Sequence, residues 1–181
     1  MTNFPFVSFD DFHDIESRNY AAAAVAAGHD PDAVMAALQV RSRDNARTPV
    51  QWDDSPNAGF TSGTPWMAVH PDYAEVNAAA AAADPESVFH HYRRLIELRH
   101  SDQTVVHGDF TMLLHSDPQV YGFTRALAED ELLVLVNVSS DPATVDVPPG
   151  WEGAQLVLGT HPQPSVGSLR PWEATVFRRA G

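Results

Sequence analysis

The hydrophobic pattern of this chain changes its period once, near His100, and that change decides what the chain can fold into. Before it, apolar residues recur at intervals of three and four, as on helices laid against a core. After it they alternate, as on strands. Strands are expected at 109–115, 120–125, 132–138, 144–147, 154–158 and 175–178, separated by turn formers at Ser116-Asp117-Pro118, Ala128-Glu129-Asp130, Ser139-Ser140-Asp141-Pro142 and Pro148-Pro149-Gly150. Short strands with near-regular turn signals predict an antiparallel β-sandwich. The expected fold class is α+β, with the boundary between residues 101 and 107.

The helical half divides at its caps. Residues 1–13 read as an irregular lead-in anchored by Phe4, Phe6, Phe9 and Phe12. Asp10, Asp11, Asp14 and Glu16 are expected to open a helix that runs through the alanines at 21–24 and stops at Gly28. Asp30 then serves as an N-cap, with Pro31 at the first helical position. Val34, Ala37, Leu38 and Arg41 share one face of that helix. Asp84-Pro85-Glu86-Ser87 caps a last helix reaching about Arg99, whose stripe of Val88, Tyr92, Leu95, Ile96 and Arg99 is mostly apolar. Residues 51–71, rich in Asp, Ser, Pro, Asn, Gly and Thr, form a long ordered loop, and such loops are functional or packed on another surface.

Into that loop leads the most informative stretch: Arg43-Asp44-Asn45-Ala46-Arg47-Thr48-Pro49-Val50-Gln51-Trp52-Asp53-Asp54, continued by Asn57-Ala58-Gly59-Phe60-Thr61 and Thr64-Pro65-Trp66. Arg43 and Arg47 either pin the loop through Asp44 and carbonyl oxygens or offer a planar fork to the hydroxyls of a ligand. Trp52, Phe60 and Trp66 either stack on sugar faces or pack the loop. The stretch resembles the RDNARTP-x-QWD segment of the oligo-1,6-glucosidase and α-glucosidase branch of the α-amylase-type glycoside hydrolases. Met1-Thr2-Asn3-Phe4-Pro5-Phe6, Asp14-Ile15-Glu16, Val34-Met35, Tyr92 and Leu95-Ile96-Glu97-Leu98-Arg99 resemble its flanks, and these matches thin out after about residue 140.

The resemblance carries expectations. The family's catalytic domain is a (β/α)8 barrel, which takes roughly 250 residues, whereas this chain has 181. It would therefore be the end of the barrel (1–104: helices after the eighth strand, the Arg43 loop and the last barrel helix) followed by a C-terminal antiparallel β domain (105–181). Met1 would stand where the family has an internal methionine, and the N-terminal barrel portion would be a missing partner. Family members hydrolyse terminal α-glucosides with retention, using two carboxylates about 5 Å apart, and these lie on earlier strands. No catalytic residue is therefore expected here, and the chain alone should be inactive. Asp44, Asp53 and Asp54 lie close in sequence, but no apolar wall beside them would raise a pKa for acid catalysis. For Arg43 the resemblance implies contact with the glucose at the non-reducing end, paired with an aspartate from an early barrel loop. For Arg47 the pinning role is favoured. Open alternatives are a carbohydrate- or protein-binding β-sandwich module, half of a split glucosidase, and, within the family, a sucrose isomerase or trehalose synthase.

Charge and composition narrow the partners. The net charge is −13 and all 11 basic residues are arginine, so nucleic acid and anionic membranes are not expected ligands. There is no cysteine, hence no disulfide or thiolate chemistry. No metal-binding spacing is present and no cofactor is implied. No apolar run approaches a membrane span, and no basic region followed by an apolar stretch opens the chain, so a cytoplasmic location is expected.

Overall fold

The computed structural model describes residues 3–180; Met1 and Thr2, part of the flank quoted above, lie outside them. Packing divides the chain into two compact units, one ending at His90 and the other starting at His91.

In the first unit, a 3-10 turn at Phe9–Asp11 is closed by a capping box. The Ser8 hydroxyl accepts from the Asp10 N–H, and Asp11 accepts from the Ser8 N–H at 2.9 Å. Helix α1 (Ile15–Ala26) starts afresh with Asp14 as its cap. The single helix expected from Asp10 onward is thus two elements. Phe12 separates them: its backbone is extended, with φ −77 and ψ 130, and its ring drops to 4.3 Å from that of Phe6. Gly28, at φ +87, follows the end of α1, and α2 (Pro31–Arg41) begins behind the Asp30 cap with Pro31 in its first turn. Ala21 and Ala24 of α1 meet Val34 and Leu38 of α2 around Phe6 and Phe12 in one buried cluster. Small side chains on α1 let the second helix come close, so alanine here is packing material.

The long loop is held by an unusual backbone run: Asn57, Ala58 and Gly59 all have positive φ, at 57, 57 and 65. That bend buries Ala58 completely and aims its carbonyl at the N–H groups of Trp52 and Asp53, 2.8 and 3.3 Å away. Asn57 donates onward to the carbonyls of Thr61 and Gly63. The loop is broken by 3-10 turns at Pro56–Gly59 and Pro71–Ala74, and is followed by α3 (Ala78–Ala83). Asn77 caps α3 by accepting from the Ala80 N–H at 2.8 Å. Helix α4 (Val88–Ser101) comes next. None of its residues is buried, and Val88, Tyr92 and Ile96 are each more than half exposed.

In the second unit, α5 (Gln103–His107) precedes an antiparallel sheet of β1 (Asp109–Met112), β2 (Val120–Leu127), β3 (Asp130–Asn137), β7 (Ala174–Ala180) and β5 (Gln155–Gly159), in that spatial order. A two-stranded ladder pairs β4 (Ala143–Thr144) with β6 (Ser168–Leu169). Each expected strand is present, and β6 is additional. Strand β4 is shorter than expected, and just past its end the Val145 N–H donates to the Gly167 carbonyl at 2.9 Å. Val120, Leu133, Leu135, Val145, Trp151, Leu169 and Phe177 form the core between the sheet and the ladder. Helices followed by an antiparallel sheet give the α+β class.

Candidate functional site

The turn that carries Arg43 is fixed from inside. Ser42 ends α2 and caps a 3-10 turn at Arg43–Ala46, its hydroxyl accepting from the Asp44 N–H. The Asp44 side chain is fully buried, and its Oδ2 accepts from the N–H groups of His13 and Asp14 at 2.7 and 2.9 Å. Asn45 accepts from the Phe4 N–H at 2.9 Å and donates to the Gln39 carbonyl at 2.8 Å. Asp14 accepts from the Ser17 N–H and hydroxyl, and the Ser17 hydroxyl lies 2.9 Å from that of Ser42. Arg47 Nη1 stands 3.5 Å from a carboxylate oxygen of both Asp14 and Asp44. Arg47 is therefore a pin between the turn and the start of α1.

Asp14 and Asp44 come close together here, but their chemistry is that of anchors. Burial pushes the Asp14 carboxyl up. The Ser17 N–H and hydroxyl and the charges of Arg43 and Arg47 outweigh it and hold the group below its ordinary value. A proton donor to a leaving group needs the opposite shift.

Arg43 is the member of the turn that this network leaves outside. Its side chain is 59% exposed and pairs at 2.5 Å with Glu16, which is 67% exposed in the first turn of α1. An exposed pair of this kind contributes about 0–1 kcal/mol. A buried acceptor deprived of its partners costs about 1–3 kcal/mol. Asp44 thus holds the turn, while the Arg43 fork is presented at the surface. The partnership with Glu16 was missed in the sequence, where Glu16 serves only the helix dipole. Its place in the Asp14-Ile15-Glu16 flank was the available signal.

Trp52 and Trp66 are 55% and 57% exposed, and Phe60 is 40% exposed. The Trp52 carbonyl accepts from the Ala79 N–H at the start of α3, so that residue also anchors the loop. Trp66 meets the His13 ring edge-on at 5.3 Å. Asp53 is engaged locally: the Ser55 hydroxyl and N–H hold its carboxyl below the ordinary value. Among the described residues no group of three or more His, Asp or Glu converges where a metal ion could be held.

Comparison with known proteins places this geometry. The family described as the catalytic domain of alpha amylase matches residues 3–108. The oligo-1,6-glucosidase of Parageobacillus thermoglucosidasius is 41% identical over 186 residues, which cover 98% of this chain and 33% of that protein. The crystal structure of Bacillus licheniformis trehalose-6-phosphate hydrolase superposes with a TM-score of 0.93 at 34% identity, over 100% of this chain and 34% of the other. An isomaltulose synthase from a Klebsiella species superposes at 0.87 with 35% identity, over 98% of this chain and 33% of its own. The likeness continues well past residue 140, and this chain spans about a third of the length of these relatives. With residues 3–108 of 181 matched, more than half of the sequence, the chain belongs to the alpha-amylase family.

Proposed function

We propose that this chain is the C-terminal portion of an α-glucosidase that releases terminal α-linked glucose from short oligosaccharides with retention. In this reading residues 1–104 are the end of a (β/α)8 barrel and residues 105–181 a β-sandwich. The attacking and proton-donating carboxylates belong to the N-terminal barrel portion, and the chain alone is inactive. Arg43 reads vicinal hydroxyls of the terminal glucose through its planar fork, with Glu16 holding the guanidinium in place from the side. The observation that carries the reading is the contrast within one turn: Asp44, Asn45 and Arg47 are engaged with the lead-in, α2 and the start of α1, whereas Arg43, at 59% the more exposed of the two arginines against 43% for Arg47, turns its fork outward beside the exposed Glu16. The uncovered apolar stripe of α4 supports a missing barrel partner, since its face has the composition of one that lies on a sheet.

The test is a chimera that joins the upstream two-thirds of the Parageobacillus oligo-1,6-glucosidase to these residues. It should release glucose from isomaltose, and the 181-residue chain alone should not. In the chimera, Arg43→Lys keeps the charge but loses the fork, and should lower kcat/KM by about tenfold to a hundredfold, the range of one or two lost charge-assisted hydrogen bonds. Formation of isomaltulose or trehalulose from sucrose, in place of glucose release, would favour the isomerase alternative. Turnover by the 181-residue chain itself would refute the proposal.

A further inference from the structure

We propose that the cleft between the N-terminal lead-in and Trp66 is a separate subsite for an unphosphorylated glucose unit. The cleft encloses about 470 Å³ and is lined by Phe6, Asp10, Asp11, His13, Trp66 and Met67, among others. That volume falls within the range of small-molecule sites. Its floor is apolar and well packed: Phe6 and Met67 are only 1% and 3% exposed. Its wall is an open indole face, steadied by the His13 ring. The Trp66 indole N–H, the His13 ring nitrogens and the Asp10 carboxylate make no hydrogen bond among the described residues, so this rim holds unclaimed donors and acceptors. A pyranose matches both parts. Its C–H face stacks on the indole, and its hydroxyls bond a carboxylate and an imidazole together. Asp10 and Asp11 place negative charge at the same rim, which repels a phosphate group. Asp11 is kept there by the N–H groups of Val7 and Ser8. The His13 N–H bond to Asp44 fixes this wall to the Arg43 turn, yet the subsite uses neither Arg43 nor Glu16.

The 181-residue chain should be titrated with isomaltose and isomaltotriose while the indole N–H resonances of its 4 tryptophans are followed by NMR. The Trp66 resonance, identified by its loss in Trp66→Phe, should shift and saturate while the others stay. Trp66→Ala should weaken binding by about tenfold, the scale of one aromatic stack, with an unchanged far-UV spectrum showing that the variant is folded. Asp10→Asn should admit trehalose 6-phosphate, which the unaltered chain excludes. Arg43→Ala should leave the titration unchanged. Loss of binding in that variant would move the sugar to the Arg43 fork and overturn the subsite while sparing the proposed function. The subsite is equally overturned if Trp66 does not shift up to the solubility of the sugar, or if choline binds more tightly than isomaltose.

Discussion

Replacing Asp44 by asparagine keeps the shape of the side chain and removes its charge, which makes it a clean probe of the turn. The carboxylate accepts two backbone N–H groups in full burial and lies beside Arg47. Asp44→Asn should therefore destabilise the chain by about 1–3 kcal/mol, read as a lower urea midpoint with an unchanged slope. Arg43→Ala removes an exposed pair and should stay within about 0.5 kcal/mol. Equal losses from the two substitutions would mean that Arg43 supports the fold, and the reason to assign it to a ligand would disappear. The difference between these neighbours is invisible in the sequence, where both are charged residues in a turn. It arises from contacts across 27 to 31 positions, to Glu16, His13 and Asp14.

At the scale of elements, α4 is a fourteen-residue helix with no buried residue. Val88 is 74% exposed, Tyr92 64% and Ile96 53%, on one side of a single helix. Ile96→Glu should thus cost the isolated chain little, within about 0.5 kcal/mol, and should reduce self-association seen by analytical ultracentrifugation. The same substitution in the chimera should abolish glucose release by burying an unpaired charge. Full activity of that chimera would separate α4 from any barrel. The stripe itself was legible in the sequence, as were the Asp30 cap and each of the longer strands, because local periodicity and local capping chemistry define them. Helix α3 was not legible, since six alanines have no stripe to reveal a period and its cap, Asn77, stands outside the run. Strand β6 escaped for a different reason. Its two residues are ordered by pairing with Ala143 and Thr144, far away in the sequence. The cleft beside Trp66 was equally hidden, because it joins the lead-in to a loop more than fifty positions later.

Across the whole molecule, acid has two effects of opposite sign. The net charge of −13 at pH 7 sets up self-repulsion, which fades as the pH approaches the isoelectric point of about 4.8. Against this stand three carboxylates with lowered pKa: Asp53, held by Ser55, and the buried Asp14 and Asp102, one in each unit. Asp14 is described above. At Asp102 burial pushes the carboxyl up, but the Val105 N–H, the hydrogen bond and charge of Arg178, and the Thr104 N–H outweigh it. A carboxyl lowered on folding stabilises the fold above its unfolded value, roughly 3.9. That contribution disappears as the pH falls through the lower, folded value. Thermal stability should therefore hold or rise from pH 7 to about 5, then fall below about pH 4, when followed by circular dichroism in matched buffers. Asp102→Asn leaves Arg178 with Asp130, 3.3 Å away, as its remaining partner. It should lower stability at pH 7 by about 1.5 kcal/mol and flatten the acid limb. A melting temperature that kept rising below pH 4 would show that charge repulsion, and not these anchored carboxylates, governs how the chain responds to acid.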